Sequence, residues 1–251
     1  MTTIRTTGLL AERSLLLTRR NPALLLATLI IPVVMMLVML ATFGSVVTQH
    51  TGLPYIARLA PLTVLTTIVF GAGTSATGYF DDVHNGLLDR IRTMPVTATG
   101  LLAGRVAGDL VRIVAIAVVA TLVAIPLGFR FSGGPLAALG ALVVVLLFGC
   151  LFTVLALSVA VHVRSEAAAL NILNVPGALL LFLSSGYVPR TAFPGFVQPI
   201  VLVNPLSLGT ETLIGLSRGT GFAGPLLGIL AWTVAGTVLF GSLAARRLRR
   251  A

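Results

Sequence analysis

Six stretches of this chain run for about twenty residues with scarcely a charged side chain, at 22–43, 59–80, 106–127, 136–161, 167–187 and 224–243. An α-helix needs about 20 apolar residues to cross the hydrocarbon of a bilayer, so each stretch is long enough to span with some tilt. Charged residues make up only 10% of the 251 positions, and hydrophobic ones 57%. A soluble domain carries about a quarter charged residues, so no water-facing surface of ordinary kind can be assembled from this set. The pattern predicts an all-α integral membrane protein with six transmembrane helices in one transmembrane domain over residues 1–251.

The arginines orient it. All 17 basic residues are arginine. Thirteen fall in the N-terminal segment, the 2–3 and 4–5 connections with the start of span three, and the C-terminal tail; only Arg58, Arg130, Arg190 and Arg218 fall on the opposite side. The positive-inside rule then predicts cytoplasmic N- and C-termini in a cell membrane, with a bacterial inner membrane as the expected setting. The formal net charge of +10 reads as arginine beside anionic lipid rather than as a nucleic-acid surface, because no basic run is interleaved with aromatics. The absence of lysine excludes a Walker A loop and Schiff-base chemistry, so ATP, if it drives this protein, binds another chain. Cys150 is the single cysteine and the three histidines are scattered, so no metal site is expected. The first apolar stretch exceeds a signal-peptide core and reads as a retained anchor.

Two shorter segments complete the layout. Residues 9–20 mix leucines with Glu12, Arg13, Arg19 and Arg20, which predicts an amphipathic helix in the membrane interface. Residues 191–210 have span length, but Pro194, Pro199 and Pro205 would break backbone hydrogen bonds in lipid. They are expected to form short external re-entrant helices between spans five and six.

Between spans two and three lies Phe80-Asp-Asp-Val-His-Asn-Gly-Leu-Leu-Asp-Arg-Ile-Arg-Thr-Met-Pro95. Asp81 and Asp82 suit the start of a short helix. Val83, Leu87, Ile91 and Met94 recur at helical spacing, and Pro95 stops it. The pattern alone fits a partner-binding helix and a solvated loop about equally.

This stretch resembles the cytoplasmic coupling segment of type-2 ABC exporter permeases, in which an acid, a glycine, a leucine-acid-arginine core and a proline follow one another. Asp82, Gly86, Leu88, Asp89, Arg90 and Pro95 fill those places here, followed by Leu101, Leu102, Gly104 and Arg105. Ser185-Gly-Tyr-Val-Pro-Arg-Thr-Ala-Phe-Pro194 and Asn204-Pro205 are similar to the external segment of the same family, with Pro189 and Pro194 as its spaced prolines. Within the family the chain looks most like the daunorubicin/doxorubicin-resistance permease type. The resemblance implies a coupling helix of Asp82, Gly86, Leu87, Leu88, Asp89, Arg90, Ile91, Arg92 and Pro95 that docks on a separate ABC ATPase subunit. That partner would bind ATP and magnesium, with no cofactor on this chain, and a second permease copy or related chain would complete the transporter.

Inside the spans, Gly100, Gly104 and Gly108 place a small residue at every fourth position, which suits close helix packing. Thr67 and Thr74 in span two, Asn171 and Asn174 in span five, and Ser185 are candidate pathway residues; the threonines lean towards packing and the asparagines towards a route. Glu211 is expected to form a structural ion pair with Arg218 or Arg190. The expected activity is ATP-driven export of a lipophilic or amphipathic, drug- or antibiotic-like compound, with export of a lipid or glycan as the alternative within the family. A different class, a magnesium-dependent intramembrane prenyl or lipid transferase using Asp81, Asp82 and Asp89, ranks lower, because no second acidic cluster completes a metal site.

Overall fold

The computed structural model describes residues 22–86 and 98–250, with side chains over 30–50, 52–86 and 103–247. The expected interfacial helix at 9–20 and the residues Leu87, Leu88, Asp89, Arg90, Ile91, Arg92 and Pro95 lie outside the described residues. Among those described there is no strand. The helices are α1 (Pro22–Thr51), α2 (Ile56–His84), α3 (Ala98–Ala124), α4 (Gly134–His162), α5 (Glu166–Phe182), α6 (Gln198–Val203), α7 (Pro205–Arg218) and α8 (Ala223–Arg250), with a 3₁₀ turn at Arg190–Ala192.

Five of these are long and apolar enough to cross a bilayer: Ile30–His50, Ile56–His84, Ala103–Ala124, Gly134–His162 and Ala223–Arg247. The remaining expected span, the fifth at 167–187, arrives in another form. Its helix, α5, has 17 residues, about 25 Å at 1.5 Å per residue, against about 30 Å of hydrocarbon. The chain then leaves helical geometry at Leu183 but stays inside the protein, with Ser184 and Ser185 both fully buried. Irregular backbone at membrane depth is tolerated where protein surrounds it, and that is the arrangement here.

α2 and α4 form the centre. α2 packs against α1, α3, α4, α5 and α7, and α4 against α2, α3, α5, α7 and α8. α1 presents almost its whole surface outward, with Ile30, Ile31, Val34, Val38 and Val46 exposed. Exposed apolar side chains on α1, α5 and α8 are what a lipid-facing or partner-facing surface requires.

α7 wedges between α2, α4 and α8 and is buried along nearly all its length. Asn204 caps its start and Pro205 fills its first turn, while Gly219, in the left-handed region at φ 69°, ends it. Its polar side chains are satisfied internally: Thr210 donates to the Leu206 carbonyl at 2.7 Å, Thr212 to Leu208 at 2.7 Å and Ser217 to Ile214 at 2.9 Å. Gly209 lets it approach α2 and α4, since a β-carbon there would stand 2.8 Å from the Leu65 side chain. The expectation of short helices at 191–210 thus meets a 3₁₀ turn, α6 and the first part of a longer α7.

Candidate functional site

Two groups of bonded residues lie towards the two ends of α2, around Asp82 and around Arg58. At one end α2 runs on through Asp81 and Asp82 to His84, so these acids close a long helix instead of opening a short one. This corrects the capping expectation, and the reason is electrostatic. A helix C-terminus carries partial negative charge, which disfavours a carboxylate unless a cation answers it. Arg105 of α3 answers Asp82. Its guanidinium passes over Gly78, where a β-carbon would collide with it. Gly86, at φ 65°, then turns the chain out of the helix. The segment 87–97 is therefore bounded by an ion pair between the helices it joins.

Further along the same two helices lies a polar cluster built on Asp109 and Arg112, two charges near the start of the third span. Asp109 accepts a hydrogen bond from Ser75 at 2.6 Å and pairs with Arg112 at 3.3 Å. Arg112, 8% exposed, also donates to the Thr74 hydroxyl and, at 3.3 Å, to the Gly71 carbonyl, while its Nε has no partner. An acid and a base three residues apart inside an apolar span were the available signal. Gly104 and Gly108 are buried on this helix, and Gly100 lies in its first turn.

The candidate pathway residues separate into two groups. Thr67 is 1% exposed and donates to the Thr63 carbonyl at 2.7 Å, and Thr74 donates to Gly71 at 2.7 Å besides meeting Arg112. Asn171 and Asn174 instead stand exposed on the outer face of α5. Ser185 is fully buried; its backbone N–H donates to Ser207 at 3.0 Å and its carbonyl accepts from Arg58 at 3.1 Å, while its hydroxyl has no partner.

Asn204 does more than its place in a proline-rich segment suggests. Its amide donates to the carbonyls of Leu180 and Leu183, both at 2.8 Å, and its side-chain oxygen accepts from the Leu206 N–H at 2.8 Å. One buried side chain thus satisfies the orphan carbonyls at the end of α5 and an orphan N–H at the start of α7. Pro205 is buried beside it, Pro189 is half-buried, and Pro194 is exposed. The expected pairing of Glu211 with Arg218 or Arg190 is not formed: among the described residues Glu211 makes no ion pair, and Arg58 lies within its electrostatic range. Burial pushes the nearby Tyr55 phenol up to about 12.

Two apolar cavities flank this core. One of 380 Å³ is lined by Val64, Ala117, Thr121, Phe129 and Leu213, and one of 580 Å³ by Phe152, Leu179, Ile200, Trp232 and Phe240. Among the described residues no three His, Cys, Asp or Glu side chains cluster as a metal would need.

Residues 5–216 match the family described as ABC-2 type transporter. A probable doxorubicin resistance ABC transporter permease protein, DrrC, from two strains of Mycobacterium tuberculosis, is 27% identical over 229 residues, covering 89% of this chain and 82% of the relative. The daunorubicin resistance ABC transporter permease protein DrrB1 of Streptomyces coeruleorubidus is 28% identical over 212 residues, covering 83% of this chain and 73% of the relative.

Proposed function

This chain belongs to the ABC-2 type transporter family, and from that premise we propose that it is the membrane-spanning half of an ATP-driven exporter of lipophilic or amphipathic compounds. Permeases of the family pair with ATPase subunits and have no ATPase activity of their own, and the chain is a multi-pass membrane protein. In the proposed arrangement both termini are cytoplasmic in a bacterial inner membrane. The 82–95 segment docks on the ATPase, which holds ATP and magnesium, and a second permease copy or related chain faces the first.

The observation that carries the reading is the amide face of α5. Asn171 and Asn174 are exposed on a helix whose other exposed side chains are apolar, Ile172, Val175 and Leu179 among them. Amides facing hydrocarbon are unfavourable, whereas amides facing a shared route between two copies find water, cargo or each other. The apolar cavity walls and the relatives named for doxorubicin and daunorubicin resistance support a lipophilic cargo.

Reconstitution tests this. Proteoliposomes holding this chain and its ATPase should accumulate a lipophilic dye such as an anthracycline only with ATP and both chains present. Accumulation by this chain alone would overturn the reading, as would magnesium-dependent turnover of a prenyl or lipid substrate by it.

A further inference from the structure

We infer that α2 and α3 move as one rigid hairpin, locked by charged crossbars, so that Arg105 and Asp82 are positioning residues for energy coupling. This deepens the proposed function and rests on it, since it concerns how a push at 82–95 reaches the spans.

The crossbars follow one another in antiparallel register. Asp82 near the end of α2 meets Arg105 near the start of α3; Ser75 meets Asp109 about one turn further along α3; Thr74 and the Gly71 carbonyl meet Arg112 about one turn beyond that. Among the described residues two acids and two bases take part, and their charges balance. All four side chains are at most 20% exposed, so water competes weakly for them.

Apolar contact alone does little to hold two helices together in lipid, because the tails are as apolar as the side chains. Hydrogen-bonded charges are different: pulling α3 away from α2 would leave ions unpaired in a low dielectric. Gly78 is part of the device, since any β-carbon there would displace the Arg105 guanidinium. The segment 87–97 joins the two braced ends. A push on it therefore cannot slide one helix past the other without breaking the Asp82–Arg105 ion pair and the hydrogen bonds that tie Asp109 and Arg112 to α2, and it tilts both.

Two measurements test this. In proteoliposomes with the ATPase, transported molecules per ATP hydrolysed should fall about tenfold in D82N and in R105Q. In R105Q, which lies outside the docking segment, inserted permease and co-purifying ATPase should stay within about twofold of wild type. R105K, which keeps the charge, should recover most of the loss, and D82N/R105Q together should be no worse than either alone. Wild-type coupling in the single variants overturns the inference, and so does a loss that tracks reduced insertion or ATPase binding and that R105K fails to rescue. The second measurement does not depend on transport. Spin labels at Asn85→Cys and Ala103→Cys, in a Cys150→Ser background, should report one narrow distance that is unchanged by nucleotide trapping and broadens in R105Q. A distance that shifts with nucleotide in the otherwise wild-type chain, or that ignores R105Q, refutes the rigid hairpin. A wild-type complex with no ATP-driven transport counts against the permease reading itself, and the spin-label distance then decides the hairpin separately.

Discussion

The two ends of α2 are held by different chemistry. At the end next to 87–97, charged side chains reach between α2 and α3: Asp82 pairs with Arg105, and Asp109 and Arg112, paired with each other on α3, bond to Ser75 and Thr74 of α2. At the other end the bonds run from neutral side chains to broken backbone: Asn204 to the carbonyls of Leu180 and Leu183, Ser207 to the Ser185 N–H. Arg58 belongs to that second pattern, since it too donates to a backbone carbonyl, that of Ser185. The difference follows from what each end must solve. The first has two intact helices to join, and side-chain charges do that without disturbing either ladder. The second has a helix that stops after 17 residues, and its orphan carbonyls require donors before any helix can pack there.

The largest effect is expected in the segment 87–97. Leu88→Pro or Asp89→Arg should insert and bind lipid normally yet lower export at least tenfold while ATP hydrolysis continues, measured in proteoliposomes. Normal export by both variants would remove the docking role. A step smaller is the buried arginine. Arg112→Ala should destabilise the folded protein by about 3–5 kcal/mol, because Asp109 is left without its cation, whereas Arg112→Met with Asp109→Leu should cost clearly less. Denaturant titration in detergent separates the two, and equal losses would show that the charges act independently. At the neutral end, Asn204→Leu should cost about 2 kcal/mol through unsatisfied carbonyls, with little dependence on salt. A marked salt effect there would blur the distinction between the ends.

The smallest effect concerns pH. Tyr55, buried at the start of α2, holds its proton more tightly when folded, its phenol pushed up to about 12 by burial and, secondarily, by Tyr187, against a weaker opposing pull from Arg58. Because the folded value lies above the ordinary 10.0, the stabilisation is complete below pH 10 and is lost as the pH rises through about 12. Tyr55→Phe should flatten the stability profile between those values, a change on the order of 2 kcal/mol or less in thermal unfolding.

Much of the architecture was legible because hydrocarbon imposes length and charge rules that sequence displays directly. The charge-free runs at 59–80 and 136–161 lie inside α2 and α4. The fifth span was legible only in part: Ser184-Ser185-Gly186 is a local breaker inside its run of 167–187, but the donor that satisfies the carbonyls at the helix end, Asn204, sits far away in sequence. For the same reason Asn204 showed in the sequence only as part of an asparagine-proline pair in the external segment, its two carbonyl partners being a tertiary fact. Thr67 and Asn171 are both polar residues in spans, read as leaning towards packing and towards a route respectively; one is buried against its own helix and the other is exposed. Hydropathy does not distinguish a face that packs from a face that opens. Asp81 and Asp82 misled in the opposite way: their preference for helix starts lost to the continuous ladder of α2 and to the arginine waiting on α3.

The account stands or falls on which side of the membrane the 2–3 connection occupies. A cysteine at Asn85, exposed at the end of α2, in a Cys150→Ser background, can be offered a membrane-impermeant maleimide in intact cells and in inverted vesicles. Labelling in inverted vesicles alone, and protection when the ATPase is bound, is the predicted result. Labelling from outside intact cells would contradict it.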